Sequence, residues 1–322
     1  MRNYIIRRVI LIIPTLLLAS LAIFIVTRLI PGDVITQMVA EGGGTLSRES
    51  DEATRQMIEQ RLGLDVPIYV QFGRWVTGIV LHGDLGTSLW RDTPVTKEIL
   101  QRFPITLELG IFGMVTAMII SFPIGIYSAI RQDSAGDYIG RSFAIACMAA
   151  PAFWVGTLVV VFPSVWWGWS PSIDLIPFSE DPVGNLAQYA IPGVILGMGT
   201  AGLNMRYLRT TMLEVLRQDY IRTAWSKGLG ERMVVMRHAL KNALLPVITL
   251  VGLQIPVLIG GAVILEQIFC LPGMGRLLLD SARARDYTII SGLVLTMAVA
   301  ILFVNLVIDL AYAYLDPRVQ YR

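Results

Sequence analysis

The stretch that decides the class of fold is VILIIPTLLLASLAIFIV, Val9–Val26, which carries no charged residue and follows a basic start. This apolar run is longer than the roughly 7–15 residues of a signal-peptide core, and no A-x-A cleavage site follows it. A helix needs about 20 apolar residues to cross the hydrocarbon core of a bilayer. The stretch therefore predicts an uncleaved first membrane span.

The composition of the whole chain agrees with a membrane protein. Of its 322 residues, 54% are hydrophobic and only 16% are charged, and the mean hydropathy is +0.62. A soluble globular domain has about 25% charged residues. We therefore predict an all-α, polytopic membrane protein. Its net charge of +2 says little, because the location of charge matters more than its sum in such a protein.

Several further apolar segments are long enough to cross a bilayer. The predicted spans are 9–30, 104–130, 139–168, 187–209, 245–268 and 288–314. Six spans place both termini on the same side of the membrane. We expect one small helical insertion outside the membrane, and we divide the chain accordingly into residues 1–30, 31–103 and 104–322.

The distribution of Lys and Arg predicts the orientation. More than half of the 26 basic residues lie at the N-terminus, in the 131–141 turn, in the 206–241 loop and in the C-terminal tail. The 169–186 loop on the opposite side carries acids and no basic residue. Because cytoplasmic loops are enriched in Lys and Arg, we predict a multi-pass inner-membrane protein with both termini in the cytoplasm. The basic residues near 276–285 depart from this pattern, since that segment falls outside.

The 31–103 segment is amphipathic and not apolar enough to span a membrane. Ser50 is a candidate cap for a helix through DEATRQMIEQRLGL, with acids in its first turn. A second helix is predicted after Pro67, through IYVQFGRWVTGIV, and HGDLGTS at 82–88 has the composition of a turn. The sequence predicts a small extracytoplasmic cap.

The residues of common catalytic and cofactor sites are missing. No G-x-x-x-x-G-K-[ST] loop occurs, and the glycines of GMGTAG at 197–202 lie in an apolar span, where they favour close helix packing. Cys147 and Cys270 form no C-x-x-C pair, and His82 and His238 fall on opposite sides of the membrane. We therefore expect no catalysis, no metal and no cofactor in this chain, and no nucleic-acid partner.

The most informative loop is DYIRTAWSKGLGERMVVMRHALKNALLPV, Asp219–Val247. Its first part favours a helix, and Gly228 and Gly230 are predicted at turn positions that tolerate positive φ. A second helix then leads into the fifth predicted span, with Pro246 near the start of that span. Such a short helix, fixed to two spans, can dock into a soluble partner and transmit a force to both spans. A basic loop that only orients the chain, or one that also binds anionic lipid, is the alternative.

This loop resembles the cytoplasmic motif E-A-A-x3-G-x9-I-x-L-P of ABC importer permeases. The residues on its register are Arg222, Thr223, Ala224, Gly228, His238, Leu240 and Lys241. The loop departs from the general motif at Arg222, Thr223, His238 and Lys241. The peptide/nickel branch has the same departures, and its loop resembles this one in the patterns RTA-x3-G and RHAL-x-NA-x-x-P. The stretches GDLGTS, LPGMGRLLLDSARARDY (271–287) and AYLDPR (313–318) also resemble that branch, so the resemblance covers nearly the whole chain.

The resemblance is closest to the first of two permease subunits, whose first span lies outside a five-helix core of the type I ABC importer fold. It implies a second permease subunit, two cytoplasmic ATPase subunits that hold ATP and Mg, an extracytoplasmic solute-binding protein and surrounding membrane lipid. A coupling helix is expected near 219–231. Its expected ATPase-coupling residues are Tyr220, Arg222, Thr223, Ala224, Lys227, Gly228, His238 and Leu240. The residues expected to face the binding protein are Gly83, Asp84, Gly86, Thr87, Pro272, Gly273 and Arg276.

Polar residues inside the predicted spans are candidates for a translocation path, since such groups are costly in hydrocarbon. These candidates are Glu108, Asn204, Gln254, Asn305 and Asp309. The alternative for each is a hydrogen bond between helices, commonly a modest stabilisation of about 0.6 kcal/mol. Asp309 is nearest the cytoplasmic end and fits a gate or a structural partner better than a solute ligand.

The resemblance implies import of a peptide-type solute by alternating access, and nickel chelates or oligosaccharides are alternative cargoes. A stand-alone secondary transporter is a different class. It would need an ion-coupling site and usually an internal repeat, and we find no repeat. A membrane scaffold is a third reading, which predicts no ATP-linked uptake.

Overall fold

A computed structural model describes residues 2–29 and 65–315 of the chain. Over these ranges the chain is helical, and the one extended pairing is an isolated bridge between Thr87 and Pro94. The predicted helix over 51–64, its Ser50 cap and the end of the C-terminal tail lie outside the described residues. The helix predicted after Pro67 is confirmed over Ile68–His82.

The helices of the described ranges are numbered in chain order. The first six are α1 (Arg2–Leu29), α2 (Ile68–His82), α3 (Val95–Ile130), α4 (Ala135–Ala149), α5 (Ala152–Trp167) and α6 (Pro182–Leu216). The others are α7 (Asp219–Ser226), α8 (Glu231–Leu253), α9 (Ile255–Ile268), α10 (Met274–Arg283) and α11 (Tyr287–Leu315). Within α8, Val234–Ala239 form a π-helical segment.

Five helices of the described ranges are long and apolar enough to cross a membrane. They are Ile10–Leu29, Val95–Ile130, Pro182–Leu216, Glu231–Leu253 and Tyr287–Ile308. Taken together, α4 and α5 are also long and apolar enough to cross a membrane, but the two helices are bent by 89° relative to each other. If that pair is one span, six spans are reached, as predicted.

Two predicted spans are not single helices. The span predicted over 139–168 breaks after Ala149, because Pro151 disfavours the helical conformation in the residue before it, and Ala150 is extended with φ −83° and ψ 115°. The span predicted over 245–268 breaks at Gln254, just before Pro256. Its first half begins as early as Glu231, so Pro246 lies inside α8 and the prediction that it stands near the start of the span is wrong.

The chain divides into two compact units. The larger comprises Met1–Ile6, Arg102–Arg276 and Ile301–Arg322, and the smaller comprises Arg7–Gln101 and Leu277–Ala300. The predicted division at residues 30 and 103 concerns sides of the membrane and stays a prediction.

The larger unit has two apolar clusters. One joins α6, α7 and α8 through buried side chains that include Leu208, Ile221 and Val247. The other joins α3, α6 and α9 and includes Leu109 and Leu265. Ala129 of α3 also belongs to the first cluster, so α3 and α6 take part in both clusters and form the common support of the unit.

Close helix packing at the glycines of α6 is confirmed at two positions. A Cβ atom on Gly197 would collide with the carbonyl oxygen of Gly113 on α3. A Cβ atom on Gly202 would lie 2.6 Å from the carbonyl oxygen of Ala144 on α4. At Gly199 the nearest neighbour would be 4.0 Å away, which is ordinary contact.

This difference predicts opposite effects of one methyl group on the same helix. Gly202→Ala should lower the thermal stability of the purified protein, since overpacking costs about 1–3 kcal/mol. Gly199→Ala is the matched control and should be neutral or slightly stabilising, because alanine is favoured over glycine in a helix by about 1 kcal/mol. Thermal unfolding in detergent measures both. Equal melting temperatures for the two variants would contradict the close approach of α6 and α4.

Candidate functional site

The candidate coupling helix is α7, an eight-residue helix between α6 and α8. Ile221 and Ala224 are buried in the cluster shared with α6 and α8. Tyr220, Arg222 and Thr223 are exposed on the other side of the helix. One face of α7 is thus fixed to the larger unit, and the opposite face is open for a partner.

A backbone motif ends α7. Gly228 has a left-handed conformation with φ 75° and donates its N–H to the Trp225 carbonyl oxygen at 2.9 Å. Leu229 donates its N–H to the Ala224 carbonyl oxygen at 3.4 Å, and its side chain packs on the same cluster as Ala224. These two bonds form a Schellman motif, which closes a helix when the residue after it adopts positive φ. The turn predicted at Gly228 is confirmed.

The second predicted turn glycine behaves differently. Gly230 has φ −66° and ψ 151°, which is an extended conformation, and it precedes the first turn of α8. The expectation of positive φ there is wrong, because the single left-handed residue at Gly228 already reverses the chain. Exposed Lys227 lies just before this turn.

One side-chain hydrogen bond joins α7 to the middle of α8, and a second from the same amide lies within α8. The side-chain amide of Asn242 donates to the Tyr220 hydroxyl at 2.8 Å and to the His238 carbonyl oxygen at 3.1 Å. His238 is half-buried and Leu240 is buried, so these two predicted coupling residues support α8 rather than the open face. Asn242 was missed as a member of the site, although it lies in the quoted motif.

The surface around α7 is basic. The exposed basic residues of this region are Arg217, Arg222, Lys227, Arg232, Arg237 and Lys241. Arg222 lies 3.6 Å from Asp219, and Arg131 of the turn after α3 lies 3.4 Å from Glu231 at the start of α8. Such exposed pairs contribute little to stability, about 0–1 kcal/mol. These two ion pairs therefore matter mainly for the charge pattern of the surface.

A stronger ion pair lies beneath this surface. Arg209 of α6 donates from Nε and Nη2 to the two carboxylate oxygens of Asp137, each at 2.8 Å. The Asp137 side chain is fully buried and also accepts the backbone N–H of Asp133 at 3.0 Å. This two-point contact joins the first turn of α4 to α6.

In the smaller unit, the 82–88 turn contains four residues predicted to face a binding protein: Gly83, Asp84, Gly86 and Thr87. Gly83 and Gly86 have positive φ, 63° and 92°, as turn residues. Ser88, which was missed, donates its hydroxyl to Asp286 at 2.6 Å, and the Leu89 N–H donates to the same carboxylate at 3.1 Å. The GDLGTS and ARARDY motifs are therefore joined in space.

The other predicted outer residues, Pro272, Gly273 and Arg276, surround a buried carboxylate that was also missed. Glu266 accepts the Thr106 hydroxyl at 2.6 Å and the Arg276 backbone N–H at 3.0 Å. A Cβ atom on Gly273 would collide with this carboxylate, so only glycine fits there. The signal in the sequence was an acid within an apolar span, which usually marks a specific partner.

Two of the five translocation-path candidates meet. Asn204 is fully buried on α6 and accepts a hydrogen bond from the Gln254 side chain at 2.9 Å, where α8 and α9 are separated. Within the part of the chain that the structure describes, no hydrogen bond joins Glu108 or Asn305 to this pair. Glu108 and Asn305 are each half-buried. Asp309 lies in α11, and its side chain is not among those described.

Asn204 and Gln254 retain unused hydrogen-bonding capacity. The side-chain nitrogen of Asn204 and the side-chain oxygen of Gln254 are buried without a partner. Residues 2–29 and 65–315 contain no group of three His, Cys, Asp or Glu side chains placed to hold a metal ion.

These features define a polytopic helical membrane protein with a short, partly exposed helix held between two spans. Residues 121–321 match the family described as binding-protein-dependent transport system inner membrane component. Residues 1–110 match the N-terminal part described for such membrane components. The chain belongs to this family of importer permeases, and the predicted relationship is confirmed.

Several relatives match over their whole length. The glutathione transport system permease protein GsiC of Pectobacterium atrosepticum is 39% identical over 322 residues, which is 100% of both chains. GsiC of Salmonella typhimurium is 37% identical with the same coverage. The dipeptide transport system permease protein DppB of Escherichia coli K12 is 36% identical over 345 aligned residues, with 100% of both chains covered.

Solved structures show the same fold at low sequence identity. A chain of the MetNI methionine ABC transporter has a TM-score of 0.57 at 13% identity, covering 69% of this chain and 97% of that one. A chain of an amino acid ABC transporter solved with histidines has a TM-score of 0.51 at 13% identity, covering 68% of this chain and 93% of that one. The predicted all-α membrane fold is confirmed.

The Asp137–Arg209 contact predicts a selective loss of stability. Asp137→Asn should destabilise the protein by about 1.5–3 kcal/mol, the usual contribution of a hydrogen bond to a charged group, because Arg209 keeps its charge with only 15% of its side chain exposed. Asp133→Asn is the matched control, since the Asp133 side chain is 64% exposed and asparagine tolerates its positive φ of 59°. Thermal unfolding in detergent compares them. A loss at Asp133 as large as at Asp137 would contradict a specific role for the buried pair.

Proposed function

We propose that this chain is the permease subunit of an importer that moves a peptide-type solute inward by alternating access. The observation that carries the proposal is the full-length match, at 36–39% identity, to permeases named for glutathione and dipeptide transport. Glutathione and dipeptides share peptide bonds and charged ends. A translocation path that suits both solutes must accept a polar peptide backbone. The solute class that they share is therefore a short peptide.

The chain works with partners in this proposal. A second, similar permease subunit completes the path, two cytoplasmic ATPase subunits bind and hydrolyse ATP with Mg, and an extracytoplasmic binding protein delivers the solute. This chain contributes no catalytic residue and no cofactor. Membership of a binding-protein-dependent transport family supports these partners.

We propose α7 as the coupling helix that docks on an ATPase subunit. Tyr220, Arg222, Thr223 and Lys227 supply the open polar face, whereas Ala224 supplies the buried face. The Gly228 turn ends α7 through backbone hydrogen bonds to Trp225 and Ala224, and Ile221 of α7 is buried in the same cluster as Val234 of α8, so a displacement of α7 acts on the start of α8. His238 and Leu240 act through α8 in the same way.

The two spans that flank α7 would carry this displacement into the membrane. The hydrogen bond between Asn204 and Gln254 joins α6 to the break between α8 and α9. A break of this kind lets two half-spans move with some independence. The unused amide atoms of the pair are consistent with a place on the translocation path.

The orientation follows from the same assignment. If α7 meets a cytoplasmic ATPase, both termini are cytoplasmic and the 31–103 segment begins on the outer side. The 82–88 turn of the smaller unit is then on the outer side, and so is the loop of Pro272, Gly273 and Arg276 of the larger unit, and each is a candidate contact for the binding protein. The excess of exposed basic residues around α7 supports this orientation.

Reconstitution tests the proposed function directly. The chain, its second permease, the ATPase subunits and the binding protein are placed in proteoliposomes with labelled glutathione or alanyl-alanine outside. We expect accumulation of at least one of these peptides with ATP inside and none with a non-hydrolysable ATP analogue. Accumulation of only a nickel chelate or an oligosaccharide would overturn the peptide cargo, and uptake driven by an ion gradient without ATP would overturn the importer class.

The coupling assignment predicts a contrast between two nearby glycines. Gly228→Val forces a β-branched residue into the left-handed region at a cost of about 1–2 kcal/mol, so α7 shifts and peptide-stimulated ATP hydrolysis and uptake should fall severalfold. Gly230→Val is the matched control, since φ −66° suits valine and no atom lies within 4 Å of an added Cβ. Stimulated hydrolysis, uptake and subunit stoichiometry are measured together. Normal stimulated hydrolysis and uptake in Gly228→Val, at full subunit stoichiometry, would contradict the coupling role and would favour a basic loop that only orients the chain.

A further inference from the structure

Helix α2 exposes large apolar side chains, although the composition of its segment predicts a cap outside the membrane. Tyr69 and Val80 are each 73% exposed, Leu81 is 70% exposed and Ile68 is 55% exposed. These residues lie near the two ends of a fifteen-residue helix, and no residue of α2 is fully buried. Tyr69, Val80 and Leu81 lie on the side of the helix that also carries exposed Gly73 and Thr77, whereas Ile68 lies on the stripe of Phe72 and Trp75. Exposed apolar surface of this kind marks a site of contact with a membrane or another protein.

The other side of α2 packs on the first span. The Phe72 ring meets Phe24 of α1 edge to face, with ring centroids 5.4 Å apart, and the Trp75 ring lies 5.9 Å from the same ring. Phe24 is only 5% exposed, whereas Val26 and Leu29 on the same turns of α1 are 59% and 73% exposed. Helix α2 therefore covers one side of the end of α1 and leaves the rest open.

The position of Phe24 sets the depth of α2. Phe24 lies four residues before Arg28, the first charged residue after the apolar run, which corresponds to about 6 Å along a helix with a rise of 1.5 Å per residue. Helices that lie in a membrane interface bury their apolar face about 5–10 Å into the boundary between headgroups and acyl chains. The contacts with Phe24 place the middle of α2 at that depth.

The polar groups of α2 are arranged as in a partly apolar solvent. Thr77 is exposed, yet its hydroxyl donates to the Gly73 carbonyl oxygen of its own helix at 2.7 Å. Thr15 makes the same bond to the Leu11 carbonyl oxygen, at 2.8 Å, on the exposed surface of the first span. Arg74 is the one Lys, Arg, Asp or Glu side chain in the sequence of α2. Its long side chain can reach the headgroup region while its stem stays in apolar surroundings.

We infer that α2 is an interfacial membrane helix, and that bilayer lipid covers its exposed side, which carries Tyr69, Val80 and Leu81. Continuity with the apolar surface of α1 favours lipid over a protein partner, because the exposed Val26 and Leu29 belong to a span and need lipid at the same level. Tyr69 and Trp75 are of the types that concentrate at membrane interfaces, and the positive Arg74 favours phosphate headgroups. The inference rests on α1 crossing the membrane and not on the solute of the importer.

Spin labels measure the surroundings of this face. Cys147 and Cys270 are replaced by alanine, and single cysteines at Tyr69, Val80 or Leu81 are labelled in the assembled importer in bilayers of phosphatidylethanolamine and phosphatidylglycerol. Collisions with oxygen report lipid, and collisions with a water-soluble nickel chelate report water. Leu18, which is 66% exposed in the middle of α1, is the lipid control, and exposed Ser179 of the 169–186 loop is the water control.

We expect labels at Val80 and Tyr69 to collide severalfold more with oxygen relative to the nickel reagent than a label at Ser179 does, approaching the ratio at Leu18. Dominant nickel collisions would show that the face is in water and would overturn the inference. Low collision rates with both reagents would show that protein covers the face, and would equally overturn it. ATP-dependent uptake by each labelled variant identifies correctly assembled protein, so an unfolded variant is recognised and another of the three positions is used.

Discussion

Hydrocarbon offers no hydrogen-bonding partner, so each backbone N–H and C=O at membrane depth must be paired within the protein. This constraint explains why the described chain is helical, and it also governs the places where helices stop. At the break after α4, the Ala150 N–H still donates to Ala146, and the Trp154 and Val155 N–H groups donate to Pro151. At the second break, Gln254 donates to Val251 and accepts from Leu258. The chain therefore bends within spans while these backbone groups stay hydrogen-bonded.

The same requirement makes the buried polar side chains informative. Glu266 is fully buried, yet a hydroxyl and a backbone N–H satisfy its oxygens, and Asp137 is held by a two-point contact with Arg209. Asn204 and Gln254 are different, since half of their capacity is unused in a buried place. Polar groups that are satisfied fix the structure, whereas the unpaired amide atoms of Asn204 and Gln254 leave this pair able to bind a further polar group.

Local features of the fold were predictable from the sequence, and distant pairings were not. The apolar spans, the α2 helix after Pro67 and the left-handed turn at Gly228 follow from composition and residue type within a short window. The bend at Pro151 follows from the same rules, but it was not predicted, because the long apolar run around it indicated a single span. The contacts of Ser88 with Asp286 and of Thr106 with Glu266 join residues 198 and 160 positions apart, so no local pattern reveals them.

The turn at Gly228 separates two tasks that a docking helix must perform. The end of α7 is held by main-chain bonds from Gly228 and Leu229, and these bonds depend on backbone conformation, not on the outward side chains. Arg222, Thr223 and Lys227 are exposed and do not belong to the buried cluster that seats the helix. If α7 docks on an ATPase as proposed, their identity can change to suit a different ATPase surface while the helix keeps its place. Related transporters would then use different ATPase subunits by changing only the exposed side chains of α7, while the buried face and the Gly228 turn stay the same.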